Sequence, residues 1–234
     1  MPADDIRASR SWRVIVVGGH TRNIGKTQLV CDLINATCDL NWTAVKITQY
    51  GHGVCAQNGE DCDCAPSEHT AALDLETCHD TGTDTARFLS AGAKRALWLR
   101  TKQGFLAEGL PLLRAELERF TEAEVARERN LILESNSLLQ FVRPLLYLVV
   151  VDPQRDDFKD SARLHLDRAS AFVLRRRLSS GALEPAPATP GWGVLPARVL
   201  SSHPCFFQEE GEDLPAGLLD LVRSSLLRGE CASL

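Results

Sequence analysis

Seven short apolar runs punctuate the chain at Arg13–Val17, Thr43–Ile47, Arg95–Arg100, Asn130–Glu134, Leu145–Val151, Ala171–Leu174 and Arg198–Leu200. Several place Val, Ile and Leu on consecutive positions, which leaves no polar face and suits strands covered on both sides. Helical patterns fall between them, at Lys26–Ala36, Thr83–Ala91, Ala107–Arg127, Asp157–Ala169 and Pro215–Leu227. In the third of these, Leu110, Leu113 and Leu117 recur at helical spacing with charges between them. Strand and helix in alternation imply right-handed crossovers and an α/β fold, its mostly parallel sheet flanked by helices on both faces.

Two stretches break the rhythm. Residues 50–82 are rich in Cys and His with few secondary-structure signals, and residues 181–197, GALEPAPATPGWGVLPA, read as a Pro/Gly-rich surface loop. There is no internal repeat, so residues 1–234 are expected to form one domain with an insertion at 50–82. The chain has 234 residues, 44% hydrophobic and 24% charged, enough for a buried α/β core. A net charge of −5 argues against nucleic acid or an anionic membrane as partner. The first twelve residues lack the apolar stretch of a signal peptide, and the longest apolar run is only Leu145–Val151. A cytoplasmic location is expected, with the eight cysteines reduced or metal-bound.

The run Val14–Val17 leads directly into GGHTRNIGKT, residues 18–27. Strand, glycine-rich turn, then a helix opening at Gly25-Lys26-Thr27 is the context of a phosphate-binding loop. Backbone N–H groups cradle phosphate oxygens and the helix N-terminus adds positive potential. Lys26 bridges the terminal phosphates, and Thr27 offers a hydroxyl to Mg²⁺. The expected nucleotide contacts are Gly19, His20, Thr21, Arg22, Asn23, Ile24, Gly25, Lys26, Thr27 and Gln28.

Counted from Gly19, the loop is Gly-x5-Gly-Lys-Thr, one residue longer than the common form. It resembles the loop of dethiobiotin synthetase and its relatives, matching at Gly19, Thr21, Gly25, Lys26 and Thr27 with Ile24 in the apolar place. Lys46, near the end of the second strand, is also similar to a lysine of that group and of the molybdopterin-guanine dinucleotide biosynthesis protein B family. The latter family is further resembled by GTDTARFLSAGA, residues 82–93, at Gly82, Asp84, Thr85, Arg87, Ala91, Gly92 and Ala93. Read physically, that stretch is a short helix capped by Thr83 or Asp84 and ended by Gly92. Glu134 closes a buried strand where relatives carry Glu-Gly; here Ser135 replaces the glycine, and Asn136 stands ready to hydrogen-bond.

These resemblances imply a three-layer P-loop NTPase fold, with Mg²⁺ held by Thr27, Asp84 and Glu134. Lys26, Lys46 and Glu134 would be catalytic, and Arg87 would face the nucleotide or a second ligand. The pterin family implies GTP, slow hydrolysis and a partner enzyme of molybdenum-cofactor maturation, in a protein that is often a homodimer. The synthetase group implies ATP and ligase chemistry through an acyl phosphate. A third class is a nucleotide-gated, metal-binding adaptor. The triple Arg175-Arg176-Arg177 reads as solvated surface, and Cys31 and Cys38 as apolar filler.

Half of the cysteines and half of the histidines fall between Tyr50 and Gly82. Cys55, Cys62, Cys64 and His69 could supply four ligands to Zn²⁺, with Cys78 or His52 as the alternative fourth. An iron–sulfur cluster, redox thiols and no cofactor at all stay open beside zinc.

Overall fold

Alternate residues of the first strand point into two different cores. In the computed structural model, which describes residues 12–50, 69–123, 129–152, 155, 157–176, 197–209 and 211–228, β1 spans Arg13–Gly19. Its Val14 and Val16 pack with Leu110, Leu113 and Leu117 of α3 (Leu106–Ala123). Its Ile15 and Val17 pack with Leu29 and Leu33 of α1 (Lys26–Ala36), Phe88 of α2 (Asp84–Ser90) and Val222 of α6 (Ala216–Arg228). Helices therefore cover both faces, giving the expected three-layer α/β arrangement.

The sheet has eight strands in the order β3-β4-β2-β5-β1-β6-β7-β8. The others are β2 (Thr43–Tyr50), β3 (Ala71–Glu76), β4 (Arg95–Lys102), β5 (Asn130–Glu134), β6 (Leu146–Val151), β7 (Ala171–Arg176) and β8 (Cys205–Glu209). All neighbours run parallel except β3, which pairs antiparallel with β4 at one edge. In a parallel sheet the segments leaving the carboxyl ends of the strands share one rim. Here that rim gathers the ends of β1, β2, β5, β6 and β7. Among the described residues no helix is long and apolar enough to cross a membrane.

Four sequence expectations need correction. Residues 198–200 lie in a one-turn helix, α5 (Ala197–Ser201), rather than a strand, because one turn suffices to bury Leu200. The last strand is β8, whose Phe207 stays exposed at the sheet edge. Residues 157–169 are not one helix: α4 covers Asp160–Arg163 and a 3-10 turn covers Leu166–Arg168. The amide of Lys159 is engaged by the His20 carbonyl at 2.8 Å, so the helix begins only after it. The Cys/His-rich stretch also ends in a real element, β3, whose edge is guarded by an Arg100–Asp74 pair.

α1 ends at a buried polar joint. Thr37 donates its hydroxyl to the Leu33 carbonyl and accepts from Trp42 Nε1 at 2.8 Å, and both side chains are fully buried. Thr37→Val keeps the volume and leaves that indole N–H unpaired. The expected loss is about 1–3 kcal/mol of folding stability, measured by urea denaturation.

Candidate functional site

The turn between β1 and α1 is built by contacts from three neighbouring strands. Asn136, just after β5, donates Nδ2 to the Gly19 carbonyl at 2.8 Å and accepts from the Gly19 N–H at 2.9 Å. This two-way amide bond fixes where the loop begins. Gly18 is required beside it, since a Cβ there would stand 2.2 Å from Asn136 Oδ1 and 2.6 Å from the Tyr147 ring. The glycine thus makes room for the protein's own packing rather than for a ligand. At the far end Gly25 takes φ 89°, and its carbonyl accepts from Arg175 Nη2 at 2.9 Å. Arg175 is mostly buried and also lies 4.0 Å from Asp32, so it is part of the loop's support and not solvated surface.

Three residues expected at the metal lie together. Glu134 is 3% exposed, and both of its oxygens are occupied: Oε2 accepts from the Thr27 hydroxyl at 2.8 Å and Oε1 pairs with Lys46 Nζ at 2.7 Å. Lys46 also reaches Asp84 at 2.7 Å. β2 runs on to Tyr50, so Lys46 is mid-strand, yet it lies in register with Glu134. Its two carboxylates hold its ammonium above the ordinary lysine range despite burial. Asp84 arrives on the first turn of α2, whose N-cap Thr83 accepts from the Ala86 N–H at 3.1 Å.

Lys26 is held differently. Its Nζ donates to the Thr21 carbonyl at 3.0 Å, and burial lowers its pKa. No carboxylate pairs with it among the described residues. Arg87 is turned aside, donating to Gln28 Oε1 at 2.7 Å and lying 3.8 Å from Asp84. Both Arg87 and Gln28 are exposed at the rim. His20 is fully buried, and neither ring nitrogen has a hydrogen-bond partner among the described residues. Its ring stands 5.4 Å from that of Phe158, and burial lowers its pKa.

The segment after β6 was expected as helix and not as part of the site. Thr21 donates to Asp157, Arg155 Nη1 donates to the Arg22 carbonyl at 2.9 Å, and the half-buried Lys159 faces the same rim. Burial, then the charges of Lys26, Arg22 and Lys46, push the Lys159 ammonium down to about 8. The available signal was positional, because residues following β6 must share a rim with the first loop.

The expected zinc ligands Cys55, Cys62 and Cys64, and the alternative His52, lie outside the described residues. Of the rest, His69 and Cys78 are exposed, and no metal-ligating group of three or more occurs among the described residues. Cys31 is buried, as filler would be, while Cys38 is exposed.

No protein-family model matches the chain, and no curated protein matches it. Among solved structures, HypB from Helicobacter pylori, in complex with nickel, is similar at TM-score 0.45 and 13% identity, over 93% of this chain and 86% of that one.

The Lys46–Glu134 pair carries a direct test. Lys46→Met strands a buried carboxylate and is expected to cost about 3–5 kcal/mol. The double variant Lys46→Met/Glu134→Leu should regain much of that loss in denaturant titrations. A double variant no more stable than the single one would show that the pair is not the source.

Proposed function

We propose that this chain binds a purine nucleoside triphosphate as its Mg²⁺ complex on the loop Gly19–Thr27 and hydrolyses it slowly. The observation that carries this reading is Lys26, a desolvated ammonium held on a loop carbonyl with no carboxylate partner among the described residues. A cation kept in that way is matched to an incoming anion. Around it stand an αL glycine, the N-terminus of an 11-residue helix and the Arg22 and Lys46 cations.

The donors fit Mg²⁺ in kind. Thr27 supplies a hydroxyl and Glu134 a carboxylate, already 2.8 Å apart, and a hard cation takes such oxygens. Lys46 neutralises much of the Glu134 and Asp84 charge, so the protein alone is a poor trap for a divalent ion. Phosphate oxygens must complete the set, and the metal enters with the nucleotide. Once bound, Mg²⁺ would neutralise charge on the terminal phosphates. Lys26 holds those phosphates from the loop side, and Asn136 keeps the loop backbone in place.

The finer part of the reading is GTP, in maturation of a molybdopterin-type cofactor with a partner enzyme. Its support is the resemblance at residues 82–93, the stretch that forms α2 and delivers Asp84 to Lys46. ATP with ligase chemistry is the competing outcome. Calorimetric titration with Mg·GTP and Mg·ATP separates them, GTP being expected to bind more tightly. Mg²⁺ alone should leave the melting temperature unchanged, while Mg²⁺ with nucleotide raises it. Lys26→Ala should abolish that rise and fold normally; a rise of wild-type size in this variant would refute the loop assignment.

A further inference from the structure

Residues 157–159 are bound to the phosphate loop by three unlike contacts. Thr21 donates its hydroxyl to Asp157, the Phe158 ring lies 5.4 Å from the buried His20 ring, and the Lys159 N–H donates to the His20 carbonyl at 2.8 Å. Arg155 adds a fourth tie through the Arg22 carbonyl. His20 and Thr21 are buried beneath these contacts. Segment and loop are therefore one packed unit, and the position of Lys159 is set by the loop itself.

That placement brings Lys159 into a group of like charges. Its field comes chiefly from Lys26, Arg22 and Lys46, with Glu134 the opposing carboxylate. Glu134 is already committed to Lys46 and Thr27. Among the described residues Lys159 has no hydrogen-bonded or ion-paired side-chain partner. Lys46 carries its own carboxylates, whereas Lys26 and Lys159 have none paired with them among the described residues. Crowding such ammonium groups disfavours the charged folded protein, and an anion between them removes the penalty. The neighbours named are those of the Lys26–Thr27–Glu134 side, where the terminal phosphates belong.

We propose that Lys159 is a phosphate ligand for the terminal phosphoryl group, delivered in cis by the segment after β6, and that it makes the site prefer a nucleoside triphosphate to the diphosphate. The proposal rests on the nucleotide reading above. It also assigns a purpose to the four ties between residues 155–159 and the loop, because a phosphate-selecting cation must move with the cradle that holds the phosphates.

The test is calorimetry of wild type, Lys159→Gln and Lys159→Arg with the Mg²⁺ complexes of ATP, GTP, ADP and GDP. Lys159→Gln should weaken the preferred triphosphate by about tenfold or more, the scale of one charge-assisted hydrogen bond, and its diphosphate by less than about twofold. Lys159→Arg should keep most of the selectivity. Without nucleotide, Lys159→Gln should melt at the wild-type temperature or above it, since a crowded charge has been removed. Equal weakening of both nucleotides, or weakening of neither, overturns the proposal, as does a nucleotide-free protein that melts lower with selectivity intact. If wild type binds none of the four, the nucleotide reading itself fails and takes the proposal with it.

Discussion

Glu134 is a carboxylate almost sealed from water at the end of a central strand, and such a group is tolerable only with both oxygens satisfied. One oxygen is met from α1 through Thr27 and the other from β2 through Lys46. The demands of a single buried charge therefore set the approach of a helix start and a neighbouring strand. Two residues further on, Asn136 grips both backbone groups of Gly19. β5 and its exit thus act as the template against which the loop takes its shape.

The cations divide into two kinds. Lys46 is balanced within the protein, shared between Glu134 and Asp84. Lys26 and Lys159 are not balanced in this way, and both have lowered pKa values with desolvation as the first cause. A protein selected for stability alone would replace such groups. Each carries a desolvation cost that no paired carboxylate offsets among the described residues, and the anion proposed above would remove it.

Much of this arrangement was legible in the sequence because it depends on local pattern. Runs buried on both faces identified β1, β5 and β6 nearly to the residue, and α1 opens at the glycine-lysine-threonine end of the loop. The edges were not legible. β3 and β8 are only partly buried and turn polar after three apolar residues, while Val199 and Leu200, which read as strand, lie in a single helical turn. The placement of Glu134 was readable from a strand end and that of Asp84 from a helix start; Lys46, expected near a strand end, lies mid-strand and meets Glu134 through their register. Lys159 and Arg175 were not, because their roles come from tertiary ties to a distant loop. Arg175 shows the difficulty well: three consecutive arginines look solvated until one is found bonded to Gly25.

The Tyr50 hydroxyl donates to the His69 carbonyl at 2.6 Å. Tyr50 ends β2 on the carboxyl rim, and β3 starts at Ala71, so the chain leaves the sheet and returns to it through one clasp. The clasp thus anchors the antiparallel edge strand to the parallel sheet at the carboxyl rim, the same rim on which β1 opens into α1.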